Sequence, residues 1–452
     1  MGDLPLAAAP FAVGEWAPEV RLPPGPRWLA PKYSSLFWHR RTQTVDQCVR
    51  RYGDVFTLTV PFYGRSVIVA DPDLARQAFT ASTDETGSST PNLGRMLGPK
   101  SLFALDGAEH RERRRLLTPL FSTKSCGNFE QIFAEETLRE CEKWPDDEPF
   151  PLLPSMTRIS LEVILRVVFG AGGRHLDELR LLVLPFLQLA SRLAVFPIPQ
   201  AIGRRVRHRH TPWGRFREYR RSYDEIIGRL IETIKADPDF DTRTDILSLL
   251  LKAVYDDGSA MTQKEIADEV LTLLAAGHET TAASMAWAFE RITRHHDVLD
   301  RVAAEALTEG NEYRRAVIAE TLRTRTVIAL IGRTVYANTF RLGPWVVPRG
   351  TTLIIALSQL HQRGEEYPDP QRFDPQRFIG KPIPAYAHLP FGAGTRRCMG
   401  AAFAGLEMDV VLRTVLRHFR VEPTTAPDER LQSRGVAVVP EGGARIVVHR
   451  NG

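Results

Sequence analysis

Phe391-Gly392-Ala393-Gly394-Thr395-Arg396-Arg397-Cys398-Met399-Gly400 is a short glycine-rich stretch that carries a single cysteine and precedes a predicted helix. The helix is indicated by Val410, Val411, Val415 and Phe419, whose spacing places them on one apolar side. Cys398 therefore lies at or just before a helix N-terminus, where unpaired backbone N–H groups and the helix dipole stabilise a thiolate. We interpret this cysteine as a thiolate ligand.

The ligand set around this thiolate suits haem iron better than zinc. No second Cys or His lies close to Cys398 in the sequence, as a zinc site would require. A lone thiolate fits the axial ligand of a haem, where it favours O–O cleavage. Gly394 permits a backbone turn, and Gly400 permits close approach of a flat macrocycle. Arg396 can bind a haem carboxylate, and Phe391 can cover the sulfur.

The same ten residues resemble a known protein family. They match, position by position, the Phe-x-x-Gly-x-Arg-x-Cys-x-Gly signature of the cytochrome P-450 family of haem-thiolate monooxygenases. The resemblance covers nearly the whole chain and implies a mainly α fold with a smaller β-rich part (α+β). It places the haem between a long central helix and the helix after Cys398. It also implies a Pro-rich segment over residues 1–27 and a single catalytic domain over 28–452. A buried free cysteine is the alternative interpretation.

A second chemical motif lies within a predicted helix that runs from about Thr262 to Ile292. Gly277, Glu279 and Thr280 are unusual inside such a helix, since glycine costs about 1 kcal/mol relative to alanine and a buried acid needs a partner. Glycine followed by a hydroxyl can open the helix locally. By resemblance, Ala276 and Gly277 contact the haem, while Thr280 donates to dioxygen and Glu279 relays protons. Back-bonding of Thr280 to its own helix is the alternative.

Basic residues in two other regions resemble haem-propionate ligands of the family. His110 and Arg114 lie one turn apart on one predicted helical face. In soluble bacterial members a His-x-x-x-Arg pair at this position binds one propionate, and Arg333 aligns with an arginine that reaches the other. With Arg396, these residues would form an anion-binding ring at the haem edge. A solvated basic helix face is the alternative for the first pair.

A further pair resembles the Glu-x-x-Arg motif of the family. Glu320 and Arg323 are three residues apart on one predicted helical face. By itself such a pair is common on protein surfaces and contributes only tenths of a kcal/mol. The resemblance implies that the pair binds Arg377 in a later loop. The three residues would then form a structural triad that holds the Cys398 loop, without a catalytic role.

The predicted substrate pocket is mainly apolar. Thr272 lies two helical turns before Thr280 and adds one polar contact. An apolar segment, Leu181–Pro199, and a basic one, Gly203–His210, resemble a pocket lid, with a solvated loop beside core helices as the alternative. We expect a hydrophobic substrate of the fatty acid, terpenoid or steroid class. The candidate pocket residues are Leu97, Leu102, Phe103, Thr272, Ala276, Leu330 and Ala437.

Local patterns also predict the first strands and helices. Strands are expected at Val55–Val60 and Ser66–Ala70, from their β-branched residues and bounding turn signals. Asp71-Pro72 should begin a helix, since a capping residue precedes a proline at the first helical position. Residues 81–103 are rich in Ser, Thr, Gly and Pro and are predicted as a long loop.

Composition excludes several classes of protein. The formal charge of +5 is too weak to indicate nucleic-acid binding, although a local basic face suits an acidic protein partner. The four cysteines show no paired spacing and are typical of reduced thiols in the cytoplasm. The apolar residues near the N-terminus are too few to span a bilayer, so no transmembrane anchor is expected. We expect a soluble monomer.

The resemblance implies a monooxygenase that contains haem b and uses O2. Electrons from NAD(P)H would arrive through ferredoxin and ferredoxin reductase, because nothing in the chain resembles a fused flavin or iron–sulfur domain. The basic run Arg111–Arg115, with Arg397, is the expected docking surface. One alternative is a peroxide-using or rearranging haem-thiolate enzyme, against which the intact Glu279–Thr280 pair argues. The other is a non-enzymatic haem sensor or carrier, which needs no proton relay.

Overall fold

Long helices and short strands make up this protein, which is represented by a computed structural model. The structure describes residues 20–26, 37, 40–60, 64–88, 94, 96–170, 174–195, 211–380 and 386–451. The predictions for residues 1–19, for the end of the apolar lid segment and for the basic segment 203–210 therefore lie outside the described residues. Within the described ranges, no helix has the length and apolar character needed to cross a membrane.

Helices dominate the described part of the chain. The α-helices are α1 Arg41–Tyr52, α2 Pro72–Thr80, α3 Gly107–Leu117, α4 Thr123–Gly127, α5 Glu130–Cys141, α6 Leu153–Phe169, α7 Arg174–Val195, α8 Pro212–Lys235, α9 Ile246–Lys252, α10 Gln263–Arg294, α11 His296–Ala306, α12 Glu312–Thr324, α13 Leu357–Leu360 and α14 Ala401–His418. Short 3₁₀ turns lie at Thr118–Phe121, Phe240–Thr242, Pro375–Phe378 and Gly394–Arg396.

The strands are fewer and shorter. They are β1 Val55–Val60, β2 Gly64–Val69, β3 Thr86–Ser88, β4 Phe150–Pro151, β5 Leu330–Val335, β6 Thr339–Leu342, β7 Trp345–Pro348, β8 Thr352–Ala356, β9 Phe419–Val421, β10 Leu431–Arg434, β11 Ala437–Pro440, β12 Arg445–Ile446 and β13 Val448–Arg450. The described residues divide into two compact units. One combines the residues up to Ser88 with 329–370 and 386–397, and the other contains the rest.

The first unit is built on a five-stranded sheet. Its strand order is β1-β2-β8-β5-β3, in which β2 and β8 are parallel and the other neighbours antiparallel. Successive side chains point to opposite faces of the sheet. Val67 and Val69 of β2 are buried on the face that packs against α2, and Ile68 is buried on the face that packs against α1. The sheet is therefore apolar on both faces.

Local sequence signals predicted this unit well, with one exception. Asp71 caps α2 by accepting a hydrogen bond from the Leu74 N–H at 2.9 Å, and Pro72 is the first helical residue, as predicted. β1 has the predicted bounds, and β2 begins two residues earlier than predicted. Residues 81–103 are not entirely loop, because β3 pairs with β5 in this region. Its three residues are too few to give a recognisable strand pattern.

The second unit is organised around α10. A capping box fixes its start: Thr262 Oγ1 accepts from the Glu265 N–H, and the Glu265 carboxylate accepts from the Thr262 N–H at 2.9 Å. The predicted helix is confirmed, and it extends to Arg294. α10 packs against α6, α12, α14 and β11. The predicted class, mainly α with a smaller β-rich part, is confirmed.

Candidate functional site

α10 is buried along most of its length and becomes accessible near its middle. Residues 266–274 and 281–293 are buried, whereas Ala276 is exposed and Gly277, Glu279 and Thr280 are partly accessible. The small side chain of Ala276 leaves the helix backbone open to close approach from this side, whereas a Cβ at Gly277 would lie 3.3 Å from Ile164 Cδ1. The accessible face at Ala276 is therefore suited to a flat group such as a porphyrin, and contact of Gly277 with a haem stays a prediction.

The Thr280 hydroxyl lies within its own helix. Its Oγ1 donates a hydrogen bond to the carbonyl oxygen of Ala276 at 2.7 Å. α10 is continuous across Gly277, so the predicted local opening of the helix is not observed. The reason is that this back-bonding adds a hydrogen bond at i−4 without displacing the helical one. The hydroxyl oxygen can still accept a hydrogen bond.

Glu279 is the accessible acid of this region. Its Oε1 lies 3.6 Å from Nε of Arg434 in β10, and its side chain is 25% exposed. Burial raises the pKa of Glu279, and the Arg434 guanidinium lowers it in part. A carboxyl with a raised pKa that also reaches solvent is suited to proton transfer. The intervening residue His278 is buried, with its Nδ1 2.7 Å from the Leu274 carbonyl oxygen.

Cys398 lies just before α14, whose N-cap is Gly400. Its thiol is exposed, in contrast to the buried Cys48, Cys126 and Cys141. Burial raises the pKa of each of these three thiols, which makes them poor ligands. Among the described residues, no group of three or more His, Cys, Asp or Glu side chains could hold a metal ion. An exposed thiol at a helix start, without companion protein ligands, fits the single protein ligand of a haem.

Gly400 itself is not required by backbone geometry. Its φ of −78° is accessible to any residue, and a Cβ there would lie 3.9 Å from Cys398 Sγ. The space next to the sulfur is therefore kept open by the absence of a side chain. This is compatible with the predicted close approach of a macrocycle, which stays a prediction.

The other predicted residues of the cysteine stretch belong to the first unit. Gly394 has φ +69°, and a Cβ there would lie 2.0 Å from the carbonyl oxygen of Phe79, so only glycine fits. The Arg333 guanidinium lies over the Phe79 ring, 5.8 Å from its centroid, and Arg333 Nη1 donates to the Gly332 carbonyl oxygen. Phe391 and Arg396 are half-buried.

His110 and Arg114 both lie on α3 in the second unit. His110 is buried and Arg114 is half-buried, so neither belongs to a fully solvated basic face. Exposed basic residues of the same helix are Arg111 and Arg115. Binding of a propionate by the first two residues stays a prediction.

The structure brings the three residues of the predicted triad together. Arg323 Nε donates to Glu320 Oε2 at 2.6 Å, and Arg377 Nε lies 3.6 Å from Glu320 Oε1. Both members of the first pair are fully buried. The same carboxylate accepts from the Asp374 N–H, and Arg323 donates to the Arg372 carbonyl oxygen. The triad therefore joins α12 to the segment around residue 374.

The predicted pocket residues divide by accessibility. Leu102, Phe103 and Leu330 keep partial exposure, whereas Leu97 and Ala437 are buried. Thr272 is also buried, and its hydroxyl donates to the Asp268 carbonyl oxygen at 2.8 Å. A polar contact between Thr272 and a substrate stays a prediction, and this hydroxyl bonds to its own helix as that of Thr280 does.

Two residues of this region escaped the sequence analysis. Arg434 lies far from Glu279 along the chain, and no local pattern links them. Glu407 of α14 is fully buried, and burial raises its pKa to about 8, with a smaller opposing effect of Ser160. The Ser160 hydroxyl donates to the Gly277 carbonyl oxygen at 3.4 Å. One sequence signal could have predicted that Glu407 is buried. Its neighbours in the predicted helix, Leu406 and Met408, are apolar.

Comparisons with known proteins agree with the described fold. The family model described as Cytochrome P-450 matches residues 23–447. The chain is 53% identical to "Putative cytochrome P-450 138" of Mycobacterium tuberculosis, over 96% of this chain and 97% of that protein. It is 37% identical to "Putative cytochrome P-450 135B1" of the same species, over 94% and 91%. The structure of retinoic acid-bound cyanobacterial CYP120A1 matches with a TM-score of 0.82 at 23% identity, over 96% of this chain and 100% of that one.

Proposed function

This chain belongs to the cytochrome P-450 family of haem-thiolate monooxygenases, and we propose that it inserts one atom of O2 into a C–H bond of a hydrophobic small molecule. The observation that carries the proposal is the accessible Glu279–Thr280 pair on a helix that is buried along most of its length. A proton relay is needed for oxygen activation and has no use in a haem carrier. Fatty acids, terpenoids or steroids suit the largely apolar pocket residues.

The proposed cofactor is haem b, which supplies the oxidising chemistry when it is bound with O2. Cys398 would provide the thiolate ligand to iron, and Ala276 and Gly277 would contact the haem. Propionate binding is proposed for His110, Arg114, Arg333 and Arg396. Phe391 and Gly400 would border the sulfur, and Glu320, Arg323 and Arg377 would hold the preceding loop.

Two adjacent residues, Glu279 and Thr280, are proposed to supply protons. Glu279 can exchange protons with solvent because a quarter of its side chain is exposed. Its raised pKa places proton uptake and release closer to neutral pH than for an ordinary glutamate. The Thr280 hydroxyl would carry the proton onward. To donate, it must give up its bond to the Ala276 carbonyl oxygen, which costs about 1 kcal/mol.

Electrons are proposed to come from NAD(P)H through a ferredoxin reductase and a ferredoxin. Arg111 and Arg115 of α3 are exposed, as is Arg397, and exposed arginines favour an acidic partner. A cytoplasmic location and a monomeric state are part of the proposal. None of the described cysteines, Cys48, Cys126, Cys141 and Cys398, forms a disulfide, which supports a reducing compartment.

The proposal is tested by the yield of product per NAD(P)H oxidised. Fatty acids, terpenoids and steroids are first screened for a haem spin-state shift, and a shifting compound is then used with ferredoxin and its reductase. Thr280→Ala should bind the compound normally but divert electrons to hydrogen peroxide, with product yield about tenfold lower. Thr280→Ser keeps the hydroxyl and should retain most of the yield.

Two results would contradict the proposal. An unchanged product yield in Thr280→Ala would show that Thr280 does not take part in proton transfer. Product formed with hydrogen peroxide alone, at the same rate in both variants and without NAD(P)H, would favour the peroxide-using alternative.

A further inference from the structure

The N-terminal half of α10 carries two adjacent buried carboxylates, Asp268 and Glu269, whose side chains are fully inaccessible. Glu269 lies two helical turns before Ala276 and three before Thr280, so these residues share one face of the helix. At 1.5 Å per residue, Glu269 is roughly 10 Å from Ala276 along the axis. Buried acids at this position need internal partners.

These partners are backbone groups of residues 97–102, which we name the wall segment. The Lys100 N–H donates to Asp268 Oδ2 at 3.0 Å, and the Leu102 N–H donates to Glu269 Oε1 at 2.7 Å. Gly98 has φ +121°, and a Cβ there would lie 2.1 Å from Asp268 Cγ. Any side chain at position 98 would therefore separate the wall segment from the helix.

Arg113 of α3 holds the same segment from a second side. Its Nη1 donates to the Lys100 carbonyl oxygen at 2.9 Å and lies 3.5 Å from Glu269 Oε1. Its Nη2 donates to Glu265 Oε1 and to the Tyr255 hydroxyl, each at 2.7 Å. Only 3% of the Arg113 side chain is exposed. The guanidinium thus joins the wall segment to α10 in the interior.

Arg220 of α8 holds the segment from a third side. Its Nη1 donates to the Leu97 carbonyl oxygen at 3.0 Å, and its Nη2 hydrogen bonds to Asp268. Its Nε donates to Asp224 at 3.0 Å. Lys264 also pairs with Asp268, at 2.9 Å, and lies 3.6 Å from Asp224. Hydrogen bonds to charged partners in the interior are stronger than neutral ones.

We propose that Asp268 and Glu269, with Arg113 and Arg220, are positioning residues that make the wall segment a rigid boundary beside the accessible face of α10. The proposal rests on the proposed function, because it concerns the molecules admitted beside the haem. Mobile lids have few buried contacts and solvated backbone hydrogen bonds. The wall segment has the opposite character, so bulky ligands must fit the boundary formed near Leu102 and cannot displace it.

Hydrogen exchange of the haem-loaded protein tests the rigidity directly. Arg220→Ala should raise the exchange rate of the amides of residues 97–102 about tenfold. Arg221→Ala is the matched control, because Arg221 is the next residue of α8, is exposed and forms an ion pair with Glu225. It should leave the wall segment unchanged. Unchanged exchange in Arg220→Ala would overturn the proposal.

A second pair of variants separates hydrogen bonding from charge. Glu269→Ala leaves the Leu102 N–H without its acceptor and should raise wall-segment exchange about tenfold. Glu269→Gln keeps an acceptor oxygen and should stay close to the parent. Burial raises the pKa of Glu269 to about 7, so the site already accommodates an uncharged group. Equal exchange in the two variants would contradict the assignment.

Ligand size then tests whether rigidity controls access. Imidazole and 4-phenylimidazole both bind haem iron, and their dissociation constants are read from the absorption spectrum. Arg220→Ala and Glu269→Ala should change the ratio of the two constants by about threefold or more, with imidazole itself unchanged. If hydrogen exchange of the wall segment became faster but the ratio of the two dissociation constants did not change, these residues would have only a structural role. That result would overturn the proposal. Neither readout depends on turnover, so failure of the monooxygenase proposal would be seen separately, in product yield.

Discussion

Glu269 and Glu279 occupy the same helix, about three turns apart, and burial raises the pKa of both. Their surroundings differ. Glu269 is fully buried and accepts a hydrogen bond from the Leu102 N–H, whereas Glu279 is 25% exposed and lies 3.6 Å from Arg434 Nε. The comparison indicates that access to solvent, more than residue type or pKa, separates an anchoring acid from one that can move protons.

The largest expected effect is on stability. Glu269→Ala should lower the free energy of unfolding by about 3 kcal/mol, because it leaves a buried N–H unpaired and weakens the pairing of Arg113. Glu279→Ala should cost less than about 1 kcal/mol, as for other partly exposed ion pairs. Chemical denaturation followed by circular dichroism measures both. Equal losses would abolish the distinction between the two acids.

The pH dependence of stability also tests whether Glu269 is a buried acid. The pKa of Glu269 is raised from 4.5 to about 7, so its contribution to stability is complete below pH 4.5 and is lost as pH rises to 7. Glu269→Gln cannot ionise. Between pH 5 and pH 8 the parent should therefore lose about 3 kcal/mol relative to this variant. Denaturation at the two pH values measures the change, and a constant difference would contradict a buried, titrating Glu269.

Turnover should depend on Glu279. Glu279→Gln should lower the rate of product formation roughly 100-fold, because general acid–base groups contribute about 10²–10⁴-fold. Substrate binding, measured by the spin-state shift, should not change. Glu225→Gln on α8 is an exposed control and should behave as the parent. If Glu279→Gln formed product at a rate near that of the control, Glu279 would not be part of the proton relay.

The smallest effect is expected at Arg434. Its positive charge lowers the pKa of Glu279, so Arg434→Ala should raise that pKa further and shift the pH profile of product formation upward. The shift should be small, since Arg434 is 44% exposed. Arg430→Ala, an exposed arginine just before β10, is the control. A downward shift, or the same shift in both variants, would show that Arg434 does not act on Glu279.

The sequence predicted what depends on neighbours along the chain. The start of α10, the Asp71 cap and the Glu320–Arg323 pair follow from short-range spacing, and all are present. The contacts of Glu269 with Leu102 and of Glu279 with Arg434 join distant segments and leave no local pattern. The sequence also could not predict where the Thr280 hydroxyl donates its hydrogen bond. A threonine at this position can donate either to its own helix or outward, and Thr280 donates to its own helix.

Cys398 is the proposed thiolate ligand of a catalytic haem. The most direct test of this assignment is the absorption spectrum of the dithionite-reduced protein with carbon monoxide, recorded for the parent and for Cys398→Ser. We expect a strongly red-shifted Soret band in the parent and its loss in the variant. A band typical of a histidine or neutral ligand in the parent, or a red-shifted band that survives in Cys398→Ser, would contradict it.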